Sequence, residues 1–495
     1  MCAGCVSVLK AATFFIMTPP SFLTAVFPRA IAWVMAWIIA FICTGCAIHP
    51  SYQPPNAPDV SAYKEAGDWV AATPLDTLER GPWWQLFNDP VLNDLAERVE
   101  VSNQNIAAAT AAYAQARALV AEQRAALFPS VTLNSSARRA GNGGGATSVG
   151  SRGTPDFQAS LGATWELDVW GRLQNTGTSL AAAAAASAAD LAAATLAAQG
   201  ELVINYLSLR QQDTQKALLA SSLRGYARAL EITQNRYAAG LATQTDVLQA
   251  QTQLAHAGAD EAGVQRTRAQ LEHAIAVLVG LVPSQFTLAA LPQWQPTVPD
   301  IPLGVPSTLL QRRPDVAAAE RRMASANAQI GVAKAAYYPS LSLNASGGTT
   351  ASRVAELFSA PAALWSFGGA AAQVLFKGDA PQARVDGARA THDQTVARYR
   401  QVVLNAFQSV EDQLSAHHVL RVQQGLRAQA TSAADQVEQR VLNRYRSGQI
   451  GYAEVIAAQT TALSARRAFV QSTADRQTSA VALIQSLGGG WQALP

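Results

Sequence analysis

The strongest pattern in the chain is an alternation. Phe157, Ala159, Leu161, Ala163, Trp165, Leu167 and Val169 share one parity, and Gln158, Ser160, Gly162, Thr164, Glu166 and Asp168 share the other. A period of two held this long predicts a strand with one apolar and one wetted face. A tilted strand of about 9–11 residues is also what crosses an outer membrane. Upstream, Val131, Leu133, Ser135 and Ala137 alternate with Thr132, Asn134, Ser136 and Arg138. Strands are therefore expected at about 129–139 and 157–169, around a glycine-rich loop at 141–153. The rest of this half is helical in pattern. Val91 to Ala126 contains neither Pro nor Gly and is dominated by strong helix formers, which predicts one long helix stopped by Pro129. Residues 172–233 predict a single helix of about 90 Å. A return helix from about Thr243 to Val282 follows. Helices in ordinary globular domains average about 11–12 residues, so these belong to a coiled coil or helical barrel. The run Ala181–Ala186, with Ala188, Ala189, Ala192–Ala194, Ala197 and Ala198, allows close helix approach.

The scheme occurs twice. Asn235-Arg236-Tyr237-Ala238-Ala239-Gly240 returns as Asn443-Arg444-Tyr445-Arg446-Ser447-Gly448. Each glycine stands where a helix end needs the left-handed region, so each copy has a helix–turn–helix tip, at about 238–245 and 446–452. Phe128-Pro129-Ser130 matches Tyr338-Pro339-Ser340 and places the second pair of strands at about 339–349 and 361–376. Gly368, Gly369 and three alanines blur the last of these, which rests on the repeat rather than on its own alternation. A long helix then runs to Gly448 and another returns to about Leu487. The implied division is 1–45 signal peptide (with Met17 the expected true start), 46–82 anchor and tether, 83–302 first repeat and 303–495 second repeat, the two joined by a Pro-rich connector at 284–310. Trp83, Trp84 and Phe87 are expected to pack the lead-in to the first helix. The fold class is thus mainly α with a β-barrel part. Four membrane-type strands cannot close a barrel, and an open sheet edge cannot sit in lipid, so copies must associate.

Composition removes several function classes. The net charge of +3 in 495 residues, without a Lys/Arg block, gives no nucleic-acid footprint. All four cysteines (Cys2, Cys5, Cys43 and Cys46) lie near the N-terminus, which excludes a disulfide framework or thiolate metal site in the body. His256, His273, His392, His417 and His418 are scattered, and no HExxH, GxSxG or P-loop accompanies them, so no catalytic residue, metal or cofactor is assigned. Glu166 and Asp168 share a strand face and are expected to face a lumen. Arg29, then the apolar run Ala30–Ile48 ending in small residues, has the layout of a secretory signal. Thr44-Gly45-Cys46 resembles the end of a bacterial lipobox, with Cys43 where leucine is usual, making Cys46 the expected lipid attachment site. A transmembrane anchor is the alternative; the Pro-rich tether His49–Pro58 favours lipidation.

Trp83-Trp84-Gln85-Leu86-Phe87-Asn88-Asp89-Pro90, Leu167-Asp168-Val169-Trp170-Gly171-Arg172, the connector Ile301 to Asp315 and the two tips together resemble the TolC-like outer-membrane efflux proteins, in the NodT-type lipoprotein branch. The resemblance implies a homotrimer with a twelve-stranded barrel and a long periplasmic α-helical barrel. It implies a passive exit duct of a tripartite efflux system, with a periplasmic adaptor and an inner-membrane pump as partners. Ala47 after the cysteine implies outer-membrane sorting. At the tips, Asp246 follows Thr243 at capping-box spacing and Glu454 follows Gly451 likewise. These acids either satisfy helix N-termini or form a ring at the pore mouth that favours cations. Glu454 falls where the family carries a gate aspartate, while Ala457 replaces a second one. Tyr445 matches a family tyrosine that ties the closed tip, Tyr237 is its repeat partner, and Gly240 and Gly448 mark the expected adaptor-docking turns. A lipid-anchored periplasmic coiled-coil adaptor or scaffold is the rival reading; it would share the hairpins and lack the strands.

Overall fold

The computed structural model describes residues 50–52, 64, 81–140, 154–299, 301, 313–359 and 362–489. The signal segment, Cys46, most of the tether, the loop 141–153 and connector residues 302–312 lie outside the described residues. The chain divides into a sheet unit, Pro129–Arg172 with Lys334–Leu375, and a helical unit made of Pro50–Phe128, Leu173–Ala333 and Phe376–Pro495.

The sheet unit holds β1 (Ser130–Ala140), β2 (Thr154–Leu167), β3 (Ser340–Ala351) and β4 (Ala363–Ala372), antiparallel and in chain order. β2 starts before the predicted Phe157 and ends at Leu167, so Asp168 and Val169 leave the ladder. Opposed residues in an antiparallel pair share a face, and the register therefore sorts the whole sheet. Leu133 opposes Leu161, which opposes Gly347, which opposes Trp365; Ala163 opposes Ala345, which opposes Phe367. That face is mainly apolar across all four strands, with Ser135, Arg139 and Thr349 the polar exceptions. Ser130, Thr164, Asn344 and Gly368 run across the other face, as do Thr132, Gly162, Ser346 and Ser366. The glycines that blur β4 in sequence fall into register: Trp365 and Phe367 join the apolar face and Ser366 the polar one. Leu133, Leu161, Trp365 and Phe367 are all exposed, so the apolar face is uncovered within one chain. At the exit of β2, Trp170 Nε1 donates to Pro339 O at 2.7 Å and the indole stacks on Tyr338 at 4.8 Å. Arg172 grips both Glu166 carboxylate oxygens, at 2.7 and 2.8 Å, which gives Glu166 an ion-pair partner that the strand pattern did not show.

The helical unit holds α1 (Pro90–Ser102), α2 (Gln104–Ala125), α3 (Arg172–Ala238), α4 (Gln244–Leu278), α5 (Pro314–Ala335), α6 (Ala380–Arg446) and α7 (Tyr452–Ser486). The single helix predicted over 91–126 is two. Asn103 is extended, with φ −70° and ψ 126°; its side-chain oxygen accepts from Asn105 N and Ile106 N, and its amide donates to Leu278 O. An asparagine that can satisfy orphan helix N–H groups competes with helix continuation. The duplication is close to residue-perfect. α6 and α7 carry the bounds of α3 and α4 displaced by 208 positions, with Arg172 matched by Ala380 and Leu278 by Ser486. Each of the two 67-residue helices is about 100 Å long. An 18-residue window of α3 has mean hydropathy 1.6, enough by length and composition to cross a membrane, yet only 17% of it is buried. Its apolarity is alanine's, which suits close packing against another helix.

The main core gathers Trp83, Phe87, Leu92, Tyr206, Met323 and Ile484 from both repeats. Asp89 ties its edge: Oδ1 accepts from Val91 N and Leu92 N, and Oδ2 from Tyr206 OH at 2.6 Å and Trp294 Nε1 at 3.3 Å. The connector is fastened by a buried ion cluster invisible as a motif. Asp213 accepts from Arg268 Nε at 2.6 Å, Arg210 at 3.0 Å and Leu291 N at 3.1 Å. The two arginines donate onward to Ala289 O and Leu288 O, both at 2.7 Å, and Glu272 accepts from Leu288 N. The tether begins docked at its described residues: Tyr52 OH donates to Glu320 Oε1 at 2.6 Å and Asn327 Nδ2 to Pro50 O.

Candidate functional site at the hairpin tips

The two tips are built alike at their turns. In the first, Leu241 N donates to Arg236 O at 2.8 Å and Gly240 N to Tyr237 O at 2.9 Å; in the second, Gln449 N donates to Arg444 O and Gly448 N to Tyr445 O, both at 3.0 Å. Gly240 and Gly448 have φ of 76° and 79°. This is the Schellman arrangement, which places an L side chain in strain at the glycine and satisfies the last helix carbonyls.

The return helices start differently. Thr243 Oγ1 accepts from Asp246 N at 3.2 Å, and Asp246 Oδ2 accepts from Thr243 N and Thr243 Oγ1, both at 2.9 Å. The capping box predicted from spacing is complete, and it occupies the Asp246 carboxylate. Gly451 has no side chain to reciprocate, and α7 begins without a side-chain cap. Glu454 is exposed, and its carboxylate makes no hydrogen bond or ion pair among the described residues.

What the fold brings together is a cluster around Tyr445. Its ring is buried against Tyr452, Ala229, Ala250 and Val455. The Tyr445 and Tyr452 centroids lie 5.4 Å apart at 57°. Thr233 Oγ1 and Tyr445 OH share a hydrogen bond of 3.1 Å. Arg236, from the first repeat, lays its guanidinium 4.7 Å from the Tyr445 ring centroid and donates to Tyr445 O at 2.7 Å. A cation on the last carbonyls of α6 also complements the helix dipole. Arg236 thus stitches the end of α3 to the end of α6. Tyr452 OH is buried with no hydrogen-bond partner among the described residues. Burial first, then the proximity of Tyr445, Tyr226 and Asp246, pushes its pKa up to about 12. Tyr237 stays exposed, and Glu454 takes no part in this cluster. Arg236, Thr233 and Tyr452 were not singled out from sequence. The available signal was the arginine in both copies of Asn-Arg-Tyr.

Comparison with known proteins agrees with this duplicated architecture. The family described as outer membrane efflux protein matches twice in tandem, at residues 95–281 and 305–489. The chain is 30% identical over 460 residues to the probable efflux pump outer membrane protein TtgC of Pseudomonas putida, covering 92% of this chain and 94% of that one. It is 27% identical over 470 residues to the cation efflux system protein CusC of Escherichia coli, covering 93% and 99%. Among solved structures, that of the outer-membrane channel OprN superposes with a TM-score of 0.83 at 30% identity, over 90% of this chain and all of OprN. The duplicated helices, the four-stranded sheet and these matches lead to one conclusion: the chain belongs to the outer membrane efflux protein family.

Proposed function

We propose that three copies of this chain form a passive outer-membrane duct through which an efflux system exports small molecules. One observation carries the reading: a four-stranded sheet with one mainly apolar face, an opposite face that is polar on β1 to β3 and mostly small on β4, and two edges, β1 and β4, that no other strand pairs among the described residues. Unpaired backbone groups in hydrocarbon cost several kcal/mol each, about what any buried unsatisfied polar group costs. Pairing β4 of one copy with β1 of the next removes both edges, and three copies give twelve strands, within the range of closed barrels. The apolar face then meets lipid and the polar face lines the lumen. The strands also separate this reading from a lipid-anchored coiled-coil adaptor, which has no use for them.

In this reading Cys46 carries the lipid, as a branch of lipoproteins would require. The hairpin tips form the periplasmic mouth, and a periplasmic adaptor docks on the turns at Gly240 and Gly448 and links the duct to an inner-membrane pump. The pump supplies the energy, so the duct needs neither catalytic residue nor cofactor. Tyr445, held by Arg236 and Thr233, latches the mouth; Asp246 and Glu454 bias it toward cations.

Detergent-purified protein should run as a heat-modifiable trimer and open cation-preferring channels in planar bilayers. Tyr445→Phe should raise conductance and Glu454→Ala should lower cation preference. A protein released in soluble, monomeric form once its anchor is cut would overturn the duct. Unchanged conductance and selectivity in both variants would overturn the latch.

A further inference from the structure

Internal duplication makes a specific demand on the surfaces that one chain leaves bare. Within the chain, α3 of the first repeat lies along α7 and the end of α6 of the second. Gln485 Nε2 reaches Leu196 O at 3.4 Å and crowds Gly200, Gln211 pairs with Gln471, Tyr226 OH reaches Gln459 O, and Arg236 seats on Tyr445. Displaced by 208 positions, the α3 face becomes a face of α6, and the α7 face becomes a face of α4. Neither of these counterparts is covered. Leu196 is 8% exposed and its counterpart Leu404 is 53% exposed. Ala229 is 4% exposed against 52% for Val437, and Tyr445 is 3% exposed against 48% for Tyr237. On α4, Val277, the counterpart of Gln485, is likewise exposed. The pairs Leu196/Leu404, Ala229/Val437 and Tyr445/Tyr237 therefore show the same step from covered to bare.

A head-to-tail contact that joins the bare α6 face of one copy to the bare α4 face of the next reuses one geometry at every seam and closes into a ring. At the tip this has a named consequence. Arg444 is the counterpart of Arg236 and Tyr237 of Tyr445. Arg444 is exposed and makes no side-chain hydrogen bond among the described residues. Tyr237 O sits in the same Schellman turn as Tyr445 O, accepting from the turn glycine with the same geometry. We propose that Arg444 of one copy stacks on the Tyr237 ring and donates to the Tyr237 carbonyl of the neighbouring copy. The tip latch is then incomplete in a single chain, and half of its stitches are made between copies.

The two kinds of stitch are unequal. Thr233, which bonds Tyr445 OH, is replaced by Val441 in the counterpart, and Tyr452, which packs on Tyr445, by Gln244. The between-copy seam keeps the arginine stack and loses the hydroxyl bond and the second ring. It is the weaker seam, and the mouth parts there first.

The inference rests on the ring reading above, and its test separates the two. No cysteine follows Cys46, so introduced pairs are the only thiols in the body. The full-length Tyr237→Cys/Arg444→Cys variant, purified in detergent, is treated with a short bismaleimide and run on a denaturing gel. Covalent dimers and trimers are expected, with each single-cysteine variant remaining monomeric. Where that pair gives only monomer, Val277→Cys/Gln408→Cys, the counterpart of the Gln485–Gly200 contact, is read. A ladder from this second pair alone would overturn the latch and leave the ring standing. Monomers from both pairs would overturn the ring and the latch together.

Discussion

Arg236→Ala tests the latch proposed at the hairpin tips. The substitution removes a charge-assisted hydrogen bond to Tyr445 O and a guanidinium stack on the Tyr445 ring. A hydrogen bond to a charged group contributes about 1.5–3 kcal/mol, and a cation over an aromatic face about 0.5–2 kcal/mol depending on desolvation. Arg236 is half-buried, so the lower part of each range applies, and the loss per tip is about 2–3 kcal/mol. At about 1.4 kcal/mol per factor of ten, the open-to-closed ratio at each tip rises roughly 30- to 140-fold. The turn itself stays intact, because Gly448 N still donates to Tyr445 O. The assay is single-channel recording of purified protein in planar bilayers. The wild type should dwell in a low-conductance state; Arg236→Ala should show frequent high-conductance openings. Arg236→Lys keeps the charge but loses the planar stack, and should fall between them. A conductance distribution in Arg236→Ala that matches wild type, with helix content unchanged by circular dichroism, would refute the stitch.

Three further outcomes follow from other parts of the molecule. Asp213→Ala leaves Arg210 buried without its carboxylate and Leu291 N without an acceptor; thermal melting should show a loss of about 3–5 kcal/mol, while Glu231→Ala, removing the exposed Arg228 pair, should stay within about 0.5 kcal/mol. Tyr452 is neutral when folded up to about pH 12 and ionises near pH 10 when unfolded, so above pH 10 the unfolded tip binds fewer protons and stability falls as pH rises. The loss is complete near pH 12 and amounts to about 2–3 kcal/mol; Tyr452→Phe should abolish it and remove one late step from the tyrosinate absorbance titration. A Cβ at Gly348 would lie 2.4 Å from Ala159 O and 2.6 Å from Ser160 Cβ. Backbone on that side cannot yield as a flexible side chain would, so Gly348→Ala should cost about 1–3 kcal/mol and lower the temperature at which the heat-modifiable band is lost on a gel.

Much of the architecture follows from local pattern. Alternation at 157–169 needs only that one face of a strand be apolar, so it survives without any partner in view. The proline-free, alanine-rich runs and the two Gly-centred tips are equally local, as is the capping box of Thr243 and Asp246, in which all partners lie within one helical turn. The duplication carried the rest of the fold, placing β4 where its own alternation was too weak. What pattern alone could not reach depended on long-range pairing. The Asn103 cap is tied by its amide to the distant Leu278 O, and only the register with β3 shows that Trp365 and Phe367 share a face with Leu161. The buried Arg210–Asp213–Arg268 cluster exists because two helices and a connector converge on one carboxylate. The tips show the distinction most sharply. Sequence placed Tyr237 and Tyr445 as equivalents, and by sequence they are. Tertiary structure decided that Arg236 covers one and leaves the other bare, because a chain with two repeats can bury only one of its two seams against itself.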